Sequence, residues 1–280
     1  MLSQAEKQAI ADALREKIAQ LSISNNEASK RIGVSAATIS NMLNGKWESI
    51  TDAWLKVLSF VESRVSGWQV AETANFLMIQ DICKDAQRMA QSRAISFKPG
   101  SGKTFSSKYF AENNPNVFYI AAVGDMSKRQ LLQALCTSMG IGSAYRLADM
   151  LEDVIAKLST TTNPLIIIDE FDEVDNKAMR IFKDLYNRCN VGMVLVGGRH
   201  LQERIMRGVR NCKQSYHEIY SRIGGEFISL KEVTKGVVEK ICRANGVMDI
   251  EHIKDIYAQA NGDLRRVKAM VEAILITSKN

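Results

Sequence analysis

No apolar run in this sequence approaches the ~18 residues that a membrane-spanning helix needs, which excludes that class of protein. The five cysteines (Cys83, Cys136, Cys189, Cys212, Cys242) stand singly, without a C-x-x-C pair. That pattern argues against a disulfide frame or zinc site and for reduced, mostly core thiols. The three histidines, His200, His217 and His252, add no ligand spacing, so no structural metal is expected. The opening residues Met1-Leu2-Ser3-Gln4-Ala5-Glu6-Lys7 lack the basic start and apolar core of a signal peptide, and a cytoplasmic location is the expectation.

One further absence leads to the most informative segment. Phe97-Lys98-Pro99-Gly100-Ser101-Gly102-Lys103-Thr104 supplies every element of a P-loop except the first glycine, where Phe97 stands. It follows a short apolar run, Ala94-Ile95-Ser96-Phe97, and opens an expected helix over residues 104–113. Pro99, Gly100, Ser101 and Gly102 form the turn, in which the glycines let backbone N–H groups face inward around phosphate oxygens. Lys103 can reach the β- and γ-phosphates, and the Thr104 hydroxyl can hold Mg²⁺.

The matching half lies downstream in Leu165-Ile166-Ile167-Ile168-Asp169-Glu170. Four successive large aliphatic residues read as a strand buried on both faces, as in a parallel sheet. Carboxylates at its C-terminal end would stand at the mouth of the sheet, where α/β folds bind ligands. Asp169 is the expected Mg²⁺ holder, and Glu170 the group that orients or deprotonates an attacking water.

At 280 residues the chain has room for about two domains. Its net charge of +6 is uneven: residues 199–280 carry 15 Lys and Arg against 10 acids, whereas 66–198 carry 14 of each. Arg199, Arg204, Arg207, Arg210 and Lys213 cluster with only Glu203 opposing them. Such a cluster fits a phosphate-binding surface or a solvated helix face.

Residues 1–65 read as a separate helical unit. Residues 5–21 place Ile10, Leu14, Ile18 and Leu21 at helical spacing. Residues 25–45 then have the layout of a helix-turn-helix: Ser29 four before Gly33, Val34 and Ile39 between the helices, and Ser35 able to cap the second. This segment resembles the lambda-repressor-like helix-turn-helix family. The resemblance implies a second helix in the major groove with Ala36, Ala37, Ser40 and Asn41 outward, and with Lys30, Arg31, Asn44 and Lys46 near phosphates. Two alanines at reading positions make a poor code for bases, and a protein-binding bundle is the alternative.

Residues 66–75 read as a linker and 75–90 as an amphipathic helix. Strands are expected at 116–121 and 193–198, and helices at 130–139, 145–158 and 182–189. From Leu230 onward the chain reads as helical again, with a final helix to Ser278. Alternating strands and helices argue for an open parallel sheet.

This order resembles the AAA+ ATPases, and more closely the MuB-like family of phage and transposon target-DNA activators. The resemblance implies an α/β P-loop ATPase core over 76–229 with a small helical lid over 230–280, behind the all-α helix-turn-helix domain. It implies ATP and Mg²⁺ bound by the residues above, with Arg222 offered to a neighbouring subunit and Arg265 acting from the lid. It also implies double-stranded DNA and a transposase as partners, and a homo-oligomer assembled as a filament on DNA. Lys128, Arg129, Arg204, Arg207 and Arg210, on loops facing the filament axis, are the expected backbone contacts. Sensor 1 departs from the family pattern, with Gly198-Arg199-His200 where a polar residue is usual. Together with Phe97, this suggests a site that holds ATP longer than it hydrolyses it. A transcriptional regulator with an ATP-sensing domain and a helicase loader are the alternatives.

Overall fold

The computed structural model describes residues 3–20, 23–47, 53–62, 68–142 and 146–277. Leu21, Ser66, Gly67, Tyr145 and Ser278 lie outside the described residues, as do the side chains of Lys30 and Arg31. Backbone contacts divide the chain into Met1–Val70 and Ala71–Asn280.

The first unit contains α1 (Gln4–Gln20), α2 (Asn25–Ile32), α3 (Ala36–Leu43) and α4 (Ala53–Glu62). Helix α2 ends at Gly33, whose φ of 73° lies in the left-handed region and whose N–H returns to the Ser29 carbonyl at 2.9 Å. Only glycine adopts that turn without strain. The Ser35 hydroxyl accepts the Thr38 N–H at 3.0 Å and starts α3. Leu14, Ala28, Ile39, Met42 and Val57 are buried together, with Val34 packed at their edge. Each large aliphatic in that set contributes roughly 1.5–3 kcal/mol. The helix-turn-helix therefore closes around the residues from which it was read.

In the second unit α5 (Ala74–Met89) leads into β1 (Ser92–Ser96), α6 (Lys103–Asn113), β2 (Val117–Ala121), α7 (Lys128–Ser138) and α8 (Leu147–Thr160). Then come β3 (Leu165–Asp169), a 3₁₀ turn (Phe171–Glu173), α9 (Arg180–Arg188), β4 (Gly192–Gly197), α10 (Arg199–Arg210) and α11 (Gln214–Arg222). The four strands are parallel in the order β1-β4-β3-β2. One face of the sheet, with Ile166, Ile168, Met193 and Leu195, packs in a core with residues of α7 to α11. The other, with Leu165, Ile167, Val194 and Val196, packs with α5 and α6. Strand β3 is buried along its whole length, which explains its uninterrupted apolar run.

Helices α12 (Lys235–Ala244), α13 (Ile250–Ala260) and α14 (Leu264–Thr277) close the chain. The expected helical start at Leu230 is not found. Ile228 instead bridges Ile95, with its N–H donating to the Ala94 carbonyl at 2.8 Å. The Asn75 amide exchanges two 2.8 Å bonds with the backbone of Lys231. These non-local bonds hold the segment extended beside β1 and delay the helix to Lys235. The expected DNA-facing basic residues also differ from expectation: Lys128 and Arg129 begin helix α7, and Arg204, Arg207 and Arg210 lie on helix α10, none of them on a loop.

Candidate functional site

The P-loop links the end of β1 to the start of α6. Gly100 and Gly102 have φ of 74° and 91°, the left-handed geometry that turns successive amides toward one point. Ser101 is buried, with its hydroxyl donating to the Lys98 carbonyl at 3.0 Å, while Pro99 and Thr104 are exposed. Phe97, in the place of the missing glycine, directly follows β1 and is still tied to β4. Its N–H donates to the Gly197 carbonyl at 3.3 Å, and its ring packs against the core beneath α5 and α6. The left-handed glycine turn thus begins after Phe97.

Lys103 is buried at 7% exposure, and its ammonium donates to the Phe97 and Lys98 carbonyls at 2.8 and 2.9 Å. Burial pushes its pKa down, while the negative charges of Glu170, Asp169 and Asp172 oppose that shift. The lysine therefore sits within the field of the acids at the end of β3.

Asp169, at 1% exposure, accepts the Tyr119 hydroxyl on Oδ2 at 2.9 Å and the Glu170 N–H on Oδ1 at 3.0 Å. Burial pushes the Tyr119 hydroxyl pKa up, and the Asp169 charge adds to it. Glu170 turns out of the strand at φ 52° and is exposed. Its carboxyl is raised above the ordinary value, first by partial desolvation and then by Asp169 and Asp172.

Arg199 and His200, the two candidates for sensor 1, are exposed at the start of α10, with His200 paired to Glu203 at 3.2 Å. The side chain docked at the end of β4 is Asp172, whose Oδ1 accepts the Gly198 N–H at 3.2 Å. A Cβ on Gly197 would fall 2.4 Å from that oxygen.

The turn between α13 and α14 lies directly on the P-loop. Leu264 N–H donates to the Gly100 carbonyl at 2.8 Å, and a Cβ on Gly100 would meet Asp263 Oδ1 at 2.3 Å. Arg265, 71% exposed, stands 3.6 Å from Asp263 Oδ1 and is near enough for its charge to act on Lys103. Lys98 pairs with Glu232, a second tie between the loop and the segment leading to α12. Arg222 points elsewhere: its Nη2 donates to Asn187 at 2.9 Å, and its guanidinium lies 4.9 Å over the Tyr186 ring.

The expected DNA-facing residues divide. Arg207 and Arg210 are exposed on α10. Lys128 and Arg129 open α7, behind a capping box formed by Ser127 and Gln130. Ser40 and Asn41 are half-buried on α3. Arg204 instead turns inward. Its guanidinium donates to the Asp172 and Val174 carbonyls and to Asn176 Oδ1 at 2.5, 2.6 and 2.7 Å. Those bonds fix the 3₁₀ turn after β3 and leave Arg204 unsuited to a phosphate contact.

Sequence reading missed Tyr119, Asp172 and Asp263. Asp172 lies two residues beyond the acid pair, a signal that was present. Tyr119 and Asp263 approach the site only through strand register and lid packing. The oxygen-only set of Asp169 and Thr104 suits Mg²⁺ shared with substrate phosphates. Among the described residues no cluster of three His, Cys, Asp or Glu could hold a metal by itself, and such sharing needs none.

Comparison with known proteins finds residues 87–205 similar to the family described as AAA domain. The chain is 24% identical over 264 residues to the Mu-like prophage FluMu DNA transposition protein B of Haemophilus influenzae, covering 90% of this chain and 91% of that protein. It is 25% identical over 244 residues to the ATP-dependent target DNA activator B of Escherichia phage Mu, covering 83% of this chain and 77% of that one. The activator B of Escherichia phage D108 matches to the same extent. Among solved structures, Cdc6p from Pyrobaculum aerophilum aligns with a TM-score of 0.45 at 15% identity, over 60% of this chain and 47% of its own.

Proposed function

From a chain that carries an AAA domain and is similar over most of its length to the B transposition proteins of Mu-like phages, we propose an ATPase that binds duplex DNA largely without regard to sequence, assembles on it and activates a transposase. One observation carries the ATPase reading: buried Lys103, under a left-handed glycine loop, lies in the field of Asp169 and Glu170.

In this reading the amides of Gly100 to Lys103 and the N-terminus of α6 bind the phosphates. Lys103 exchanges its two loop carbonyls for phosphate oxygens. Thr104 and Asp169 hold Mg²⁺, which when bound neutralises charge on the transferred phosphoryl group. Glu170 positions the attacking water and takes its proton. Arg265 approaches from the lid, whose turn already rests on Gly100. Arg222, at the end of α11 and held against α9 by Asn187 and Tyr186, is offered to the site of an adjacent subunit. An arginine supplied in trans links ATP binding to assembly, because each interface completes a neighbour's site. Hydrolysis would be slow and stimulated by the transposase, and the protein would act on DNA in the cytoplasm.

Arg207, Arg210, Lys128 and Arg129 are the proposed backbone contacts, and α3 adds a weakly specific contact through Ser40 and Asn41. Electron microscopy with ATP and random-sequence duplex DNA tests the whole reading. Continuous filaments are expected, and discrete dimers at one site would favour a transcriptional regulator. Changing Arg207 and Arg210 together to alanine should lower the salt-dependence slope of DNA binding by roughly 2. An unaltered slope removes α10 from the DNA surface.

A further inference from the structure

Asp169 is held by a partner that local sequence does not reveal. Parallel pairing sets Ala121 beside Asp169 and Tyr119 beside Ile167. Alternate residues of a strand share a face, so Tyr119 lies on the same side of the sheet as Asp169, one step back from its mouth. The phenol body packs with the core of Leu165, Ile167 and Phe110 beneath α5 and α6. Its hydroxyl reaches forward to Asp169 Oδ2 at 2.9 Å, while the Glu170 N–H holds Oδ1 at 3.0 Å. An ionised carboxylate only accepts, so Tyr119 is the donor.

With one oxygen fixed by a side chain and the other by backbone, the carboxylate plane is set. The lone pairs that remain are presented from a nearly fully buried group. A buried carboxylate without donors would be costly and free to turn away.

We infer that Tyr119 is a positioning residue, which orients Asp169 toward the Mg²⁺ that accompanies the nucleotide. The inference rests on the proposed role of Asp169. Partners of this kind around a ligand typically change metal affinity by about 10–100-fold when lost. Tyr119→Phe is the informative variant, because it keeps the ring and its packing and removes only the hydroxyl.

Binding of a fluorescent, slowly hydrolysed ATP analogue is titrated against MgCl₂ and separately in EDTA. In Tyr119→Phe the Mg²⁺ concentration for half-maximal enhancement should rise about tenfold, with EDTA binding unchanged. Asp169→Asn should abolish the Mg²⁺ response, and adding Tyr119→Phe to it should change nothing more. A wild-type Mg²⁺ response in Tyr119→Phe overturns the inference. So does an equal loss of binding with and without Mg²⁺, which would mark a merely structural residue. If Asp169→Asn itself keeps the full Mg²⁺ response, it is the parent reading of the site that fails.

Discussion

Strands β3 and β4 run side by side, with Leu165 beside Gly192 and Ile168 beside Leu195, yet they deliver opposite chemistry to the mouth of the sheet. β3 ends in Asp169 and continues into Glu170, whereas β4 ends in Gly197 and continues into Gly198. The bare end of β4 is covered from the side by Asp172, which belongs to the turn following β3. Arg204, from the helix after β4, ties that same turn down through the Asp172 carbonyl and that of Val174, the residue just beyond it. The two strand ends are therefore one structure: acids come from the β3 side, and β4 contributes backbone, space and an anchoring guanidinium. The polar group facing a site need not sit on the strand that points at it.

The largest expected effect comes from breaking the β3 end. Asp169→Asn should lower ATP turnover by about a hundredfold or more, since it removes the carboxylate assigned to Mg²⁺. Phosphate release measured beside Asp172→Asn tests the assignment. If Asp172→Asn lost turnover and Asp169→Asn kept it, the metal-holding acid would be the one docked against β4, not the one that ends β3.

At the β4 end the two glycines should behave differently. A Cβ at Gly197 would stand 2.4 Å from Asp172 Oδ1 and 2.9 Å from Leu201 Cβ, whereas one at Gly198 would meet Asp172 Oδ2 at an ordinary 3.6 Å. Gly197→Ala should therefore cost about 1–3 kcal/mol in denaturant unfolding, and Gly198→Ala less than about 0.5 kcal/mol. Equal costs would mean that both Asp172 and Leu201 give way, so that Asp172 is not seated firmly on β4. Since position 198 accepts a side chain, Gly198→Asn also asks whether a polar group there speeds hydrolysis.

The contrast between the strands also separates what local sequence reveals from what it hides. The P-loop and Asp169-Glu170 are contiguous motifs whose chemistry resides in neighbouring residues, and both were legible. So was the turn at Gly33, because its Ser29 partner lies within one helical turn. Phe97 was visible as a departure, but its reason was not. That reason lies in its ring, which packs against a core drawn from distant parts of the chain, Leu165 and Val194 among them. Tyr119 required the β2–β3 register, and the extended segment around Ile228 required pairing with β1. On α10 the buried positions Leu201, Ile205 and Gly208 define the inner face. Arg204 flanks that face, so its charge alone misled: the same side chain that solvates a surface can instead satisfy carbonyls beneath it.

The smallest effect tests whether Asp172, docked at the end of β4, shares one field with the acids at the end of β3. Glu170 has its carboxyl raised by partial desolvation and by the charges of Asp169 and Asp172. An acid whose folded pKa lies above its unfolded value favours the fold while protonated. That contribution is complete below the unfolded pKa and is lost as pH rises through the folded one. Glu170→Gln, which cannot ionise, should therefore match the parent protein below about pH 4 and gain relative stability as pH climbs toward neutrality. Because Glu170 is open to solvent, the gain should be small, about 1–2 °C in melting temperature for a unit of this size. Melting curves without nucleotide, in EDTA, would show it. Asp172→Asn should narrow the gap between Glu170→Gln and its own parent, since one of the charges raising Glu170 is gone. A gap of undiminished size in that background would mean that Asp172, though seated on β4, leaves the β3 acids electrostatically alone.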